Sequence, residues 1–294
     1  MVEGADASSR DPRRQGREPE QIGSRDLTAW PTALGRLLVG AAASLGRRVP
    51  WVGRAYGWST AHVAFVAFAA VAMGVAVSLT KSAGEVYEAV VDHNGISTID
   101  QPVLDLAVQA RTPWRNEAIT WFTDVGGPVG MPLLVALVVG GLAWHWRTWM
   151  PVVVTVAAAA GSLLMTLATK GLAGRARPPL DLAVPPYESS PSFPSGHTLN
   201  ATVLTTVVVY LVLLRSTAPW QRVLTVGLGA GFVVTMGLSR VFLGHHWFTD
   251  VVAGWALGLA WALAVITAHR LFLTLRPRPD AVTLTDGAPG STRT

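Results

Sequence analysis

Six long apolar runs dominate this chain of 294 residues and restrict what it can fold into. A transmembrane α-helix needs roughly 20 apolar residues to cross ~30 Å of hydrocarbon. Backbone polar groups cannot stay unpaired in lipid, so runs this long and apolar must be helices. We therefore predict an all-α, polytopic membrane protein with six transmembrane helices. The runs are His62–Thr80, Val129–His145, Trp149–Thr169, Thr198–Leu214, Val223–Leu243 and Val251–His269.

The composition excludes several other classes of protein. Half of the residues are hydrophobic (50%) and only 14% are charged, whereas about 25% of an ordinary soluble domain is charged. A soluble, disordered or fibrous chain is therefore excluded. The absence of cysteine excludes disulfides, a thiolate metal site and a cysteine nucleophile. The net charge of +5 is not concentrated in a dense basic stretch, so nothing favours nucleic-acid binding.

Basic residues near the runs favour a cytoplasmic N-terminus. With that orientation, nine Arg flank the inner ends of the runs and six Lys or Arg lie in the outer segments, as the positive-inside rule requires. We therefore expect both termini in the cytoplasm. The inner residues are Arg47, Arg48, Arg54, Arg147, Arg215, Arg222, Arg270, Arg276 and Arg278, and the outer ones are Lys81, Arg111, Arg115, Lys170, Arg175 and Arg177.

The apolar runs and this orientation divide the chain into three regions: a cytoplasmic N-terminal tail at 1–57, a transmembrane domain at 58–275, and a cytoplasmic C-terminal tail at 276–294. No apolar segment follows the start, so no signal peptide is expected. Within the first tail, Trp30–Gly57 suits either an amphipathic helix at the membrane surface or a basic tether.

In the outer segment 81–128, helical spacing of apolar residues predicts a helix at Ile99–Ala110. Two glycine pairs, Gly227/Gly231 and Gly254/Gly258, have the spacing of close helix packing.

Three polar clusters are expected on the outer face. The first leaves the third run and contains Lys170, Arg177 and Pro178. A lysine point charge and an arginine fork suit phosphate oxygens, although cations at a helix end can also simply reach toward water.

The second cluster, Pro194-Ser195-Gly196-His197, lies at the start of the fourth run. Free N–H groups at a helix start bind anions, and His197 could donate a proton to a leaving oxygen.

The third cluster joins the fifth and sixth runs and contains Ser239, Arg240, His245, His246 and Asp250. His246 and Asp250 are four residues apart and share a helix face. A carboxylate on one imidazole nitrogen fixes the tautomer and frees the other nitrogen to attack. Arg240 is costly inside a membrane and would be explained by a bound anion. The alternative is an isolated His–Asp contact beside an unrelated arginine.

Together these residues resemble the three-part signature of the type-2 phosphatidic acid phosphatase (PAP2) superfamily, which also includes vanadium haloperoxidases. The parts are Lys170, six residues, then Arg177-Pro178; Pro194-Ser195-Gly196-His197; and Ser239-Arg240, five residues, His246, three residues, Asp250. The resemblance implies a PAP2/haloperoxidase-like helical core and a metal-independent reaction that vanadate inhibits and that needs no cofactor. It covers about residues 165–255.

The resemblance also implies a role for each site residue. His246 would be the nucleophile that forms a phosphohistidine, Asp250 would orient it, and His197 would protonate the leaving group and then activate water. The spacing selects His246 over the adjacent His245, because only His246 precedes Asp250 by four residues. The residues expected to hold phosphate are Lys170, Arg177, Ser195, Gly196 and Arg240.

The resulting expectation is a lipid phosphatase in the cell membrane whose active site lies on the extracytoplasmic side. Its substrate would be polyprenyl diphosphate, phosphatidate or phosphatidylglycerol phosphate, and the lipid bilayer is a further expected partner. A lipid phosphotransferase with the same phosphohistidine remains an alternative. So do a haloperoxidase and a non-catalytic transporter or lipid-binding protein, although a transporter would be expected to carry polar residues near the bilayer midplane.

Overall fold

The computed structural model describes residues 60–275 and contains eight α-helices there, with no β-strand in that range. The two tails predicted at 1–57 and 276–294 lie outside the described residues. Short 3-10 turns occupy Gly95–Ile99 and Leu180–Leu182. The helices are α1 (Thr60–Val91), α2 (Asp100–Gln109), α3 (Pro113–Val125), α4 (Gly130–Trp146), α5 (Met150–Ala173), α6 (Gly196–Arg215), α7 (Pro219–Phe242) and α8 (Phe248–Leu275).

The all-α prediction is confirmed, and five helices are long and apolar enough to cross a membrane. These are α1, α5, α6, α7 and α8, and each contains or overlaps one of the predicted runs. Helix α1 extends beyond its predicted end at Thr80 and stops at Val91. The helix predicted at Ile99–Ala110 is present as α2. Helix α3 was not predicted, because Pro113–Val125 has little apolar character.

The sixth predicted span is not one straight helix. Helix α4 has 17 residues and meets the criterion for a span only together with α3, from which it is bent by 55°. The break contains Gly126, Gly127 and Pro128. A side chain on Gly130 would collide with the backbone of Asp124 and Val125, so the tight corner depends on glycine.

Helices α6 and α8 form the centre of the bundle. Half of the apolar window of each is buried, against 11% for α1 and 17% for α7. Buried apolar side chains such as Leu199, Val203 and Ala262 pack in this core. The peripheral helices instead expose large apolar side chains, among them Val71, Leu137 and Leu164. A helix that exposes such residues over its length is suited to contact with lipid.

One of the two predicted glycine contacts is confirmed and the other is wrong. A Cβ on Gly258 would lie 2.7 Å from Cβ of Thr202, and one on Gly254 would lie 3.0 Å from Cβ of Thr198. These two glycines therefore allow α8 to approach α6 closely. Nothing lies within 4 Å of the corresponding positions on Gly227 and Gly231. In α7 it is Gly229, on the opposite face of the helix from both, that packs against Thr205 and Val209 of α6.

The connection between α7 and α8 is held by Arg111. Its Nε donates to the carbonyl oxygen of Phe242 at 2.8 Å, and its Nη1 donates to that of Leu182 at 2.6 Å. Capping the last carbonyl of α7 satisfies a group that the helix leaves unpaired. Gly244, with φ of +72°, then turns the chain toward α8. This turn delivers the third polar cluster to the end of the bundle.

Candidate active site

The three polar clusters meet at one end of the bundle, where α5 and α7 end and α6 and α8 begin. The backbone N–H of Ser195 donates to the carbonyl of Asp250 at 3.0 Å, which ties the second cluster to the third. Arg177 of the first cluster donates to the carbonyl of His245. A Cβ on Gly196 would lie 3.8 Å from Cε of Lys170, so the first two clusters are also adjacent.

His246 is held in one tautomer by its two neighbours. Its Nε2 lies 3.2 Å from Nη1 of Arg177, and because a guanidinium only donates, Nε2 is the acceptor. The proton therefore resides on Nδ1, which faces Oδ2 of Asp250 at 3.4 Å. The ring is buried, with 1% of its surface exposed. This tautomer places a lone pair on Nε2, as a nucleophile requires.

Asp250 is fully buried, and each of its two carboxylate oxygens accepts hydrogen bonds. Oδ2 accepts from the backbone N–H of Trp247 at 2.9 Å and from the hydroxyl of Ser192. Oδ1 accepts from Nη1 of Arg175. A buried carboxylate stays ionised only when it is paired and hydrogen-bonded, and Arg175 supplies that pairing.

Arg175 connects Asp250 to a second buried carboxylate, Asp100. Its Nη2 donates to Oδ2 of Asp100 at 2.7 Å. Oδ1 of Asp100 accepts from the backbone N–H of Thr249 at 2.8 Å, and Oδ2 accepts from the Thr249 hydroxyl at 2.6 Å. Asp100 thus satisfies a free N–H in the first turn of α8, where a negative charge is favourable. The network fixes the start of α8 and the carboxylate that faces His246.

Burial lowers the pKa of His246 well below the usual 6.5, and the nearby charges of Arg240 and Arg177 lower it further. The neutral, nucleophilic form is therefore favoured. Burial, followed by Arg240, also lowers the pKa of His245. His245 points elsewhere, since its Nε2 lies 2.7 Å from the carbonyl of Val184 and must donate to it. The structure thus places His246, and not His245, between Asp250 and Arg177.

Two arginines of the predicted phosphate site converge on Glu188. Nη2 of Arg177 donates to Oε2 of Glu188 at 2.7 Å, and Nη2 of Arg240 donates to Oε1. Arg240 is 1% exposed, and its Nη1 donates to the hydroxyl of Thr123 at 3.1 Å. Burial raises the pKa of Glu188, but Arg240 and Arg177 outweigh that effect and bring it to about 2.

The remaining predicted phosphate ligands occupy different positions. The Lys170 ammonium donates to the hydroxyl of Ser190 at 3.1 Å and to the carbonyl of Pro191, which lie on the same loop as Glu188. The Ser195 hydroxyl is buried and accepts from the hydroxyl of Thr198 at 2.9 Å. It also caps α6 by accepting from the backbone N–H of Thr198. Gly196 contributes close packing, since its Cβ position lies 3.2 Å from Cγ2 of Thr166.

His197 lines a cavity of about 470 Å³ that also contains Arg240 and Glu188. The corner between α3 and α4 also lines this cavity and adjoins the histidine, since a Cβ on Gly127 would lie 3.6 Å from Nε2 of His197. An acid at this position can reach a group bound between the arginines and the corner. The cavity lining is completed by Thr123, Asp124, Pro128, Val129, Gly130, Pro186, Tyr187 and His245.

Sequence reasoning did not assign Glu188, Asp100 or Ser192 to the site, and it treated Arg175 only as an outer basic residue. Charged residues in outer loops are usually solvated, so nothing in their local pattern distinguished them. The one available signal was position, since Arg175 lies two residues before Arg177 and Glu188 lies six before Pro194. Their partners lie elsewhere in the chain.

The comparisons with known proteins agree on one family. A family model described as the PAP2 superfamily matches residues 148–274, which contain all three clusters. Phosphatidylglycerophosphatase B of Bacillus subtilis is 32% identical over 172 residues, which are 58% of this chain and 83% of that protein. Undecaprenyl-diphosphatase of Sulfolobus acidocaldarius is 38% identical over 86 residues, which are 27% of this chain and 37% of that protein.

A solved structure also resembles the chain. It is the crystal structure of a transmembrane PAP2-type phosphatidylglycerolphosphate phosphatase from Bacillus subtilis, with a TM-score of 0.61 and 28% sequence identity. The similarity covers 68% of this chain and 98% of that chain. Nearly the whole of that protein therefore has a counterpart here.

Proposed function

The chain is a multi-pass membrane phosphatase that belongs to the PAP2 superfamily, and we propose that it removes a phosphate group from a membrane lipid through a phosphohistidine at His246. In this proposal Asp250 orients His246, and His197 is the general acid and base. Arg177, Arg240 and Lys170 hold the phosphate, assisted by the backbone at Ser195 and Gly196. The transmembrane domain at 58–275 carries the whole reaction.

The observation that carries the proposal is the environment of His246. Its Nδ1 faces Oδ2 of Asp250 at 3.4 Å while its Nε2 faces Nη1 of Arg177 at 3.2 Å. The nucleophilic nitrogen therefore points at a cation suited to phosphate oxygens. Arg240 and Arg177 also lie close enough to share one carboxylate, so one phosphate can reach both.

In the first step, the lone pair on Nε2 of His246 attacks phosphorus and the bond from phosphorus to the lipid oxygen breaks. His197 gives its proton to that oxygen, so the lipid leaves as an alcohol, or as a monophosphate when the substrate is a diphosphate. The arginines neutralise charge on the transferred group, which is the main catalytic contribution in phosphoryl transfer. Asp250 stabilises the positive charge that His246 acquires.

In the second step, His197 takes a proton from a water molecule, whose oxygen attacks the phosphorus of the phosphohistidine. The bond between phosphorus and Nε2 breaks and its electron pair returns to His246. Inorganic phosphate then leaves. His197 thus regains in the second step the proton that it donated in the first, as general acid and base catalysis requires.

The cavity beside His197 supports a lipid substrate. It lies against the corner between α3 and α4, where a headgroup can reach the arginines while its tail stays among apolar side chains. Helix α4 exposes Leu133 and Leu137, which suits a lipid-facing wall. The distribution of basic residues supports an extracytoplasmic position for this end of the bundle, with both termini in the cytoplasm.

Two headgroups are the first candidates. The relative from Bacillus subtilis, which is matched over 83% of its length, is named for phosphatidylglycerophosphate. The archaeal relative, matched over 37% of its length, is named for undecaprenyl diphosphate. The longer match favours phosphatidylglycerol phosphate, and polyprenyl diphosphate and phosphatidate follow.

The test is phosphate release by the purified protein in detergent with EDTA. The substrates are phosphatidylglycerol phosphate, polyprenyl diphosphate, phosphatidate and a water-soluble phosphate ester. We expect lipid substrates to be hydrolysed by the wild type and by His245→Ala, and not by folded His246→Ala. Alkaline quenching of a reaction with ³²P-labelled lipid should trap label on the wild type and on His245→Ala, and not on His246→Ala. Loss of activity in His245→Ala with retention in His246→Ala would overturn the assignment.

Transfer to a second lipid is distinguished by the products. Hydrolysis releases inorganic phosphate, whereas a phosphotransferase forms a new phosphorylated lipid and releases none. The orientation is tested separately, by reporter fusions after residue 294 and in the loop between α5 and α6. A periplasmic signal from the C-terminal fusion would contradict the proposed sidedness.

A further inference from the structure

Glu188 occupies a position with the properties of a phosphate site. Its two carboxylate oxygens accept from Nη2 of Arg177 and from Nη2 of Arg240, one oxygen for each arginine. A carboxylate and a phosphate present similar oxygen pairs to a guanidinium, and arginine binds both. The two arginines proposed to bind the substrate are therefore already engaged by an anion of the chain itself.

The Glu188 carboxylate is also charged under ordinary conditions. The two guanidinium groups overcome the effect of burial and bring its pKa to about 2, so it remains ionised at neutral pH. Its side chain is 29% exposed, whereas that of Arg240 is 2% exposed. The carboxylate is thus at the accessible end of the pair and the arginine is at the enclosed end, so the carboxylate is the partner that can withdraw.

The same ion pair affects the nucleophile. Arg177 uses Nη2 for Glu188 and Nη1 for Nε2 of His246. While Arg177 keeps this position, the lone pair that must attack phosphorus accepts a hydrogen bond. Glu188 therefore stabilises an arrangement in which a carboxylate of the chain occupies the anion site and the nucleophilic nitrogen of His246 accepts a hydrogen bond from Arg177.

The loop that carries Glu188 is held by another cation of the site. Lys170 donates to the Ser190 hydroxyl at 3.1 Å and to the Pro191 carbonyl. Arg177 adds a bond from Nε to the Ser190 carbonyl at 2.7 Å. An anion that attracts Lys170 and Arg177 would loosen these contacts together with the ion pairs of Glu188.

We propose that Glu188 is an internal competitor of the substrate phosphate, which must displace its carboxylate from Arg177 and Arg240 before His246 can react. It acts as a specificity-determining residue, because an anion of higher charge displaces a carboxylate from two guanidinium groups more readily than a weakly charged one. This inference rests on the proposed function only in assigning the two arginines to phosphate.

Binding of orthovanadate to the full-length protein in detergent tests the proposal without turnover. An internal anion that occupies a binding site for about nine-tenths of the time weakens the binding of another anion about tenfold. We therefore expect Glu188→Gln to lower the vanadate Kd about tenfold by isothermal titration. Glu188→Asp, with a shorter side chain that keeps its charge, should give a smaller decrease. Asp181→Asn, an exposed acid on the preceding turn, is the matched control and should leave the Kd unchanged.

The outcomes separate this inference from the proposed function. If the wild type binds vanadate and Glu188→Gln binds it equally or less tightly, Glu188 only positions the arginines and the competitor role is wrong. If Glu188→Gln is unfolded, the same comparison is made with Glu188→Asp, for which an unchanged or higher Kd refutes the proposal. If the folded wild type does not bind vanadate at all, the assignment of Arg177 and Arg240 to phosphate fails as well.

Discussion

Arg175 forms a buried ion pair with Asp250, the carboxylate that faces the proposed nucleophile. Nη1 of Arg175 donates to Oδ1 of Asp250. The other oxygen, Oδ2, accepts from the Trp247 N–H and faces His246. The other end of the guanidinium is anchored on Asp100 at 2.7 Å. Two carboxylates from distant parts of the chain are thus joined through one arginine.

Replacing Arg175 with alanine should destabilise the protein and reduce turnover. Removing one member of a buried ion pair leaves an uncompensated charge and costs about 3–5 kcal/mol. We expect a lower thermal unfolding temperature in detergent, together with a lower kcat in the fraction that remains folded. Arg115→Ala removes an exposed arginine and should have little effect, because surface charges contribute about 0–1 kcal/mol. Equal effects of the two substitutions would contradict the role of the Arg175–Asp250 pair.

The imidazole of His246 should remain neutral in mildly acidic solution. Burial and the neighbouring arginines lower its pKa below the usual 6.5, so the folded protein resists protonation of this ring. The unfolded chain takes up that proton near pH 6.5, so the free energy of unfolding should decrease as the pH falls below that value. Histidine-selective ¹⁵N NMR, assigned with His246→Ala, should show an Nδ1–H tautomer at pH 6. A protonated ring at that pH would contradict the prediction.

Lys170 should contribute to anion binding, unlike the other lysine of the chain. Its ammonium lies among the loop contacts at Ser190 and Pro191, next to the arginines. Loss of a charge-assisted hydrogen bond costs about 1.5–3 kcal/mol, so Lys170→Met should raise the vanadate Kd roughly 10- to 100-fold. Lys81→Met removes an exposed lysine from α1 and is the control. An unchanged Kd in both variants would mean that Lys170 only holds the loop at Ser190 and Pro191.

The two glycine pairs should respond oppositely to alanine. Gly258→Ala places a Cβ 2.7 Å from Cβ of Thr202, so it should separate α6 from α8 and lower the unfolding temperature. Gly231→Ala meets nothing within 4 Å and should stabilise the protein by up to about 1 kcal/mol, because alanine favours a helix. Thermal unfolding in the same detergent checks both. Destabilisation by Gly231→Ala would contradict the open space beside this residue and would mean that another surface packs against α7 there.

The spans and the three polar clusters could be predicted because their signals are local. A run of apolar residues requires a helix wherever it lies in the fold, and the spacing of His246 and Asp250 places them on one turn regardless of the neighbours. The proposed side of the membrane rests on a bias of basic residues, a signal that needs no tertiary contact. The fold class and the candidate catalytic residues were therefore accessible without a structure.

The tertiary structure decided which charges face each other. Glu188 meets Arg240 across 52 residues and Arg175 meets Asp250 across 75, and no local pattern encodes such pairs. The same is true of the glycines, since equal spacing in α7 and α8 gives open space in one helix and close packing in the other. Sequence determines which elements form, because hydrogen bonding and hydrophobicity act along the chain. The partners of a buried charge depend on how those elements pack.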